Sequence, residues 1–211
     1  ETITLNSKKP DFLLKEGPWS TYKNMWDLYQ NAHTPWEWHE KLFNVAKEEG
    51  IEIFSSPFDE SAVDFLEDLN VNAYKIASPE INHIPLLERV GKTKKPVILS
   101  KGLGNKTEIQ AAIKTLRTEG CEDIALLQCT TCYPTLPEDC NLNVIADIGK
   151  TFGVVPGLSD HTQNDCICIA AVALGAKIIE KHFKLDNDSE SVDSFFSSSE
   201  NDFQDLISNI R

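Results

Sequence analysis

The chain has 211 residues, of which 41% are hydrophobic and 25% charged, a composition typical of a folded domain with a sizeable core. A formal net charge of −13 argues against general nucleic-acid binding, since no basic face is available to neutralise phosphates. No apolar run approaches the roughly 20 residues of a membrane span, and the polar start "ETITLNSKKPDF" lacks the apolar core of a signal peptide. We therefore expect a cytoplasmic protein that binds neither nucleic acid nor membranes.

Residues 1–34 are predicted to form a loop containing a short helix near 25–31, and residues 35–211 to form repeated βα units. Asp59 is expected to cap one helix, and Gly50 and Gly120 to end two others. The predicted strands are 51–56, 73–78, 96–100, 124–130, 153–159 and 176–183. The predicted helices are 35–49, 60–69, 85–90, 106–119, 142–151 and 166–174.

This βαβα alternation predicts a parallel sheet with right-handed crossovers. Two α/β architectures fit: an open doubly wound sheet and a (β/α)₈ TIM barrel. No Gly-x-Gly-x-x-Gly follows the first strand, and polar residues occur at the carboxyl end of nearly every strand. Because a barrel builds its site from many strand ends, we favour the barrel.

The number of units is too small for a complete barrel. Six βα units are predicted, whereas a barrel has eight. A six-unit piece would expose sheet edges and apolar core. We therefore expect this chain to be part of a larger protein, with two further units in front of residue 1.

Two predicted strands each end at a histidine, His161 in "GLSDHT" and His182 in "EKHF". If both stand on adjacent strands, their imidazoles can converge on one divalent ion such as Mn²⁺, Fe²⁺ or Zn²⁺. Asp160 and Asp193 are nearby carboxylates that could ligate the ion or orient a histidine. A lone histidine would more often cap its strand, but a matched pair favours a metal site.

Lys75 lies inside the apolar strand "AYKIAS". If its side chain points into the barrel, it needs an anionic partner. It would then be a Schiff-base nucleophile or a clamp for phosphate or carboxylate, whereas an outward lysine would be structural. Glu80 is a candidate acid, base or substrate hydrogen-bond partner. Hydroxyl groups that could surround a phosphorylated substrate belong to Ser56, Ser78, Ser100, Thr131 and Ser159.

Cys129 and Cys132 form a C-x-x-C sequence, the spacing of a redox pair or half of a zinc site. No second C-x-x-C is present, and "YPT" rather than a helix start follows. We therefore expect one thiol in the core and the other in a loop, with all six cysteines reduced.

These segments together resemble the sialic acid (nonulosonic acid) synthase family from about residue 40 to the end. The motifs are "FSSPFD", "AYKIASPEI", "PVILSKG", "LLQCTTCYPT", "GLSDHT" and "VALGAKIIEKHF". "TLNSKKPDFLLKEGPW", "LYQNAHTPWEWH" and "SESVDSFFS" are most similar to the pseudaminic acid synthase branch.

The resemblance implies an enzyme that condenses phosphoenolpyruvate with an amino sugar, here a 6-deoxy diacetamido hexose. Carbon 3 of phosphoenolpyruvate would attack the sugar aldehyde, water would add at carbon 2, and phosphate would leave with C–O cleavage. His161 and His182 would hold the ion, usually Mn²⁺. Phosphoenolpyruvate would be bound by Ser56, Lys75, Ser78, Ser100, Thr131 and Ser159. The catalytic residues facing the sugar and the ion would be Glu80, Tyr133 and Asp193.

The chain also departs from that family. Lys101 stands where threonine is common, and two N-terminal strands and a C-terminal antifreeze-like domain have no counterpart. The resemblance implies a homodimer of the full-length protein, and we expect these residues alone to be inactive. The alternatives are an N-acetylneuraminate or legionaminate synthase, a Schiff-base aldolase using Lys75, and a non-catalytic binding module.

Overall fold

The computed structural model describes residues 4–187 and 190–211. Residues 1–3 of the predicted N-terminal loop and Ser189 of "SESVDSFFS" therefore lie outside the described part. The chain forms two compact units: an N-terminal unit of Glu1–Ile53 with Ser189–Val192, and a sheet unit of Phe54–Asp188 with Asp193–Arg211. The predicted division into 1–34 and 35–211 stays a prediction.

The N-terminal unit is helical. It contains a 3₁₀ turn, Pro10–Phe12, followed by α1 (Met25–Ala32) and α2 (Trp36–Glu49). The Asn24 side chain caps α1 by accepting a 2.9 Å hydrogen bond from the Asp27 amide. Gly50 ends α2 with a φ of 69°, a left-handed conformation that suits glycine. Both predicted helices of this unit are confirmed.

Among the residues that the structure describes, the sheet unit has five parallel strands in chain order, without reversal. A barrel has this order, whereas a doubly wound sheet reverses at a switch point. Within the described part, the strands are therefore arranged as consecutive strands of a barrel. They are β1 (Tyr74–Ile76), β2 (Val97–Ser100), β3 (Ile124–Cys129), β4 (Val155–Asp160) and β5 (Ile178–Lys181).

The predicted strand over residues 51–56 is wrong. These residues form no strand in the structure. Ser55 accepts a 3.4 Å bond from the Lys75 amide, and Pro57 has no amide hydrogen to continue a ladder. Strand-like composition alone was misleading here, because a strand also needs a regular series of paired backbone groups.

In its described residues, the sheet unit has six α-helices. Asp59 caps the first as predicted, accepting from the Ala62 amide, and Gly120 follows another with a φ of 107°. The last helix was not predicted, although Ser199 and Asp202 form a capping box at its start. The helices are α3 (Glu60–Asp68), α4 (Ile84–Gly91), α5 (Lys106–Thr118), α6 (Asn143–Phe152), α7 (Cys166–Ala173) and α8 (Glu200–Ile210). Further 3₁₀ turns are Ser78–Asn82 and Pro137–Asp139.

The core lies between the strands and these helices. Every residue of β1 and β3 is buried, as expected for parallel strands covered on both faces. Leu206 of α8 joins a buried cluster with Ile145 of α6, Leu158 of β4 and Cys168 of α7. This packing holds the β4–β5 side of the sheet, where both predicted metal ligands are found.

No helix in residues 4–187 and 190–211 is both long and apolar enough to cross a membrane.

Candidate active site

A cleft of about 270 Å³ opens at the carboxyl ends of the five strands. Parallel strands present these ends at one edge, so residues distant in sequence meet there. Most of the predicted site residues line the cleft. The lining residues are Ser56, Lys75, Ala77, Ser78, Pro79, Ser100, Cys129, Tyr133, Ser159, His161, Glu180 and His182.

A larger groove of about 430 Å³ lies between α5 and α6. Its lining includes Lys114, Arg117 and Phe152 but no strand-end residue. Arg117 is already engaged there, donating a 2.8 Å bond to the Gly153 carbonyl. We therefore place the functional site in the smaller strand-end cleft.

The Lys75 side chain points into this cleft rather than outward. The residue is only 8% exposed. Its Nζ donates to Ser100 Oγ at 2.9 Å and to the Ile76 carbonyl at 3.2 Å. Glu180 Oε1 lies 3.5 Å from the same nitrogen. The buried ammonium therefore has the anionic partner that burial requires, and it is held where an incoming anion could reach it.

Glu180 was not among the predicted site residues. Its Oε1 accepts a 2.7 Å hydrogen bond from Ser159 Oγ. Glu180 precedes His182 by two positions, and residues i and i+2 of a strand face the same side. That alternation was the sequence signal for Glu180. In "AKIIEKHF", the sequence analysis selected only the histidine as a site residue.

His161 is fixed by a 2.8 Å contact between its Nδ1 and the Thr130 carbonyl. A carbonyl only accepts, so Nδ1 carries the hydrogen and Nε2 keeps a free lone pair. Burial lowers the pKa of His161, an effect that the hydrogen bond to Thr130 opposes. The neutral imidazole with a free Nε2 is the form that binds metals.

His182 lies beside His161, with 5.4 Å between the ring centroids. Its Nδ1 is 3.4 Å from Asp193 Oδ2. Tyr133 stacks on His161 at 4.3 Å, and Phe196 packs against His182 at 4.6 Å. Tyr133 and Phe196 also contact each other, with 5.2 Å between their ring centroids, so the four rings form one cluster. Phe196 was missed by the sequence analysis, because it lies far along the chain in an irregular segment.

The residues present fit a divalent cation. His161 has one ring nitrogen occupied by a carbonyl, and His182 has one facing a carboxylate; metal-binding histidines have such partners. Among the described residues, no group of three or more His, Cys, Asp or Glu side chains is arranged to hold an ion. A cation would therefore rest on two imidazoles and on oxygen atoms from substrate or water. The metal stays a prediction.

Glu80 lies beyond β1 in the 3₁₀ turn Ser78–Asn82 and does not line the cleft. Its Oε2 is buried and has no hydrogen-bond partner in the described chain. Burial raises the pKa of Glu80 to about 7, against the lowering effect of its own backbone and of Lys75. The carboxyl group is thus poised to gain or lose a proton near neutral pH.

Other predicted site residues stand outside the cleft. Thr131 follows β3, is half-buried and does not line it. Asp193 contacts His182 but does not line the cleft. Lys101 is half-buried just after β2, and burial lowers its pKa. Asp160 lies on the opposite side from the cleft, paired with Lys181. The structure gives the positions of these residues, and their functional roles stay predictions.

The expected placement of the two C-x-x-C thiols, one in the core and one in a loop, is confirmed, whereas the reduced state of the six cysteines stays a prediction. Cys129 is buried and Cys132 is exposed, and both are free thiols, as are Cys121, Cys140, Cys166 and Cys168. Burial raises the pKa of Cys129, so its thiol stays protonated in the floor of the cleft.

Known proteins resemble this chain along its whole length. It is 44% identical over 209 residues to pseudaminic acid synthase of Helicobacter pylori, covering 99% of this chain and 61% of that protein. It is 35% identical over 211 residues to N,N'-diacetyllegionaminic acid synthase of Campylobacter jejuni, covering 99% of this chain and 63% of that protein. The chain thus spans under two thirds of the length of these relatives.

The fold also matches a solved structure, the N-acetylneuraminic acid synthetase of Leptospira borgpetersenii in complex with citrate. The TM-score is 0.83 at 30% identity, covering 87% of this chain and 64% of that one. The family model of the NeuB family matches residues 1–211. The chain therefore belongs to the NeuB family.

Proposed function

We propose that the protein containing this chain is a nonulosonic acid synthase. It condenses phosphoenolpyruvate with an amino sugar and releases phosphate. The observation that carries the proposal is the strand-end cleft, where one buried ammonium, several hydroxyl groups and two adjacent histidines meet. The identities to pseudaminic and legionaminic acid synthases support the same reaction class.

Phosphoenolpyruvate is anionic, and Lys75 is the cationic side chain among those lining the cleft. We assign the ammonium to the phosphate or carboxylate, with hydroxyl donors of Ser100 and Ser78 beside it. Ser56 and Ser159 face the same space. Thr131 completes the proposed set, although it does not line the cleft in this structure.

His161 and His182 would hold a divalent cation, most suitably Mn²⁺. When bound, the cation supplies Lewis-acid polarisation of the sugar aldehyde. Asp193 keeps the His182 ring oriented, and the Thr130 carbonyl does the same for His161. Tyr133, stacked on His161, forms the wall against which the sugar would lie.

The bond changes follow from the two substrates. Carbon 3 of phosphoenolpyruvate attacks the aldehyde carbon, and water adds at carbon 2. The C–O bond to phosphate then breaks and phosphate leaves. Glu80, whose pKa burial raises to about 7, is the proposed group that exchanges a proton with the sugar, although its side chain lies outside the lining of the cleft. This reaction needs no Schiff base, so Lys75 acts as a charge clamp.

For the sugar we propose the 6-deoxy diacetamido hexose that yields pseudaminic acid. The support is the higher identity to pseudaminic acid synthase, 44% against 35% for the legionaminic enzyme. Legionaminate and N-acetylneuraminate synthesis are the alternatives within the class.

An eight-stranded barrel needs strands beyond the five described. We propose that the active enzyme is a homodimer with a complete barrel and a C-terminal antifreeze-like domain, and that residues 1–211 alone release no phosphate.

Phosphate release tests the proposal. The whole protein is incubated with Mn²⁺, phosphoenolpyruvate and, in turn, the pseudaminic, legionaminic and N-acetylmannosamine precursors. We expect release with the first sugar and loss of activity on chelation. No release with any of the three would overturn the proposal, and borohydride trapping of pyruvate on Lys75 would favour an aldolase instead.

A further inference from the structure

Asp160 and Lys181 each directly precede one of the paired histidines, and they form a buried ion pair with each other. Lys181 Nζ lies 2.6 Å from Asp160 Oδ2, and the two side chains are 2% and 1% exposed. The two residues are register partners on β4 and β5. Successive strand residues face opposite sides. The pair therefore joins the two strand ends behind the histidines.

Thr162, the residue after His161, is hydrogen-bonded to both members of this ion pair. Its amide donates to Asp160 Oδ1 and its Oγ1 to Asp160 Oδ2, both at 3.0 Å. The Lys181 ammonium donates to the Thr162 carbonyl at 2.7 Å. Cys168 of α7 approaches Asp160 Oδ2 at 3.3 Å. Asp160 and Thr162, which flank His161 in the chain, are thus both bonded to Lys181, which precedes His182.

A buried ion pair is weak evidence for stability, since an apolar pair of similar volume is often as stable. Its better-attested use is to fix one register among alternatives. Here the ion pair would fix the register between β4 and β5. The 5.4 Å distance between the two imidazole ring centroids depends on that register.

We propose that Asp160, Lys181 and Thr162 form a positioning network that sets the geometry of the His161–His182 pair. The network lies behind the cleft and acts through the histidines, so its members are positioning residues. Its relevance to a cation rests on the proposed function, but its effect on ring geometry does not.

The test uses the whole protein that contains this chain and the double variant Asp160→Asn/Lys181→Met, which leaves no unpaired buried charge. Its matched control is Glu67→Gln/Lys95→Met, which removes another 2.6 Å ion pair of the sheet unit outside the cleft. Two quantities are measured on each: Co²⁺ affinity by absorption titration, and the nuclear Overhauser contact between the His161 and His182 rings without metal. Melting temperatures are recorded alongside.

We expect the double variant to bind Co²⁺ about 10- to 100-fold more weakly, the usual effect of removing outer partners of a metal site. The ring-to-ring contact should weaken or disappear, while the control retains both properties. If the double variant does not fold, Thr162→Val replaces it; this variant removes one side-chain bond to Asp160 and keeps the ion pair, so we expect a smaller change in the same direction.

Unchanged Co²⁺ affinity and an unchanged ring contact in the folded variant would overturn the positioning role, whatever the change in melting temperature. If the wild-type chain binds no Co²⁺, the metal part of the proposed function fails. The ring contact, measured without metal, then decides the positioning role by itself.

Discussion

Ser159 and Glu180 are register partners on β4 and β5, and Ser159 Oγ donates a 2.7 Å hydrogen bond to Glu180 Oε1. The same carboxylate oxygen lies 3.5 Å from the Lys75 ammonium. The Glu180 carboxylate therefore holds two of the proposed phosphoenolpyruvate-binding groups, the Ser159 hydroxyl and the Lys75 ammonium. An entering anion must compete with Glu180 for both of them.

Replacing this carboxylate should strengthen anion binding. In Glu180→Gln the negative charge in the cleft is lost and the Lys75 ammonium is released for the ligand. We expect phosphoenolpyruvate to bind roughly tenfold more tightly, equivalent to about 1.4 kcal/mol, as measured by calorimetry on the whole protein. Glu180→Asp keeps the charge and serves as the control. Weaker binding in Glu180→Gln would show that the carboxylate instead orients Lys75 productively.

Removing the ammonium should have the opposite effect. Lys75→Met deletes the buried cation while keeping the length of the side chain. Truncating one partner of a buried charge pair costs about 2 kcal/mol or more, so we expect phosphoenolpyruvate affinity to fall at least about 30-fold in the same calorimetric measurement.

The control for Lys75→Met is Lys101→Met, which removes a half-buried cation just after β2 that does not line the cleft. We expect this variant to bind phosphoenolpyruvate nearly as well as wild type. Equal losses in the two variants would mean that Lys75 contributes only general charge.

The paired histidines should be required for metal uptake. His161→Ala removes the imidazole whose Nδ1 is already occupied by the Thr130 carbonyl. We expect Mn²⁺ binding to drop by at least about 100-fold, since two imidazoles are the proposed protein ligands. The measurement is a Mn²⁺ titration followed by electron paramagnetic resonance. His33→Ala, an exposed position at the end of α1, should bind as wild type does; a comparable loss there would argue against the paired site.

Titration of Glu80 should make the stability of the folded state depend on pH. Its pKa is raised from 4.5 to about 7 by burial, so the folded protein holds this proton more tightly than the unfolded chain. Linkage then makes the contribution of Glu80 to stability fall as pH rises from about 4.5 to about 7 and stay low above that.

Glu80→Gln removes this titration. Allowing for partial exposure of the side chain, we expect the variant to gain about 1–2 kcal/mol relative to wild type at pH 8. Near pH 4 the difference should vanish, because both side chains are then neutral. Urea unfolding at the two pH values measures it. A constant difference between the two pH values would contradict the raised pKa.

Much of the fold was predictable from local pattern. Apolar β-branched runs marked all five strands, and Asp59 and Gly50 marked helix ends, because capping and left-handed φ depend on residues close in sequence. The strand predicted at 51–56 failed for the converse reason. Strand formation depends on pairing with another segment, which composition does not report.

The candidate site likewise has features that the sequence predicted and features that only the structure shows. The sequence by itself determined which residue types stand at the strand ends, and so it predicted Lys75, His161 and His182. Only the tertiary structure decided that Glu180 bonds Ser159 beside Lys75, and that Asp160 pairs with Lys181 behind the histidines. These contacts join residues on different strands, and their distances depend on strand register and twist, which packing of the whole sheet sets.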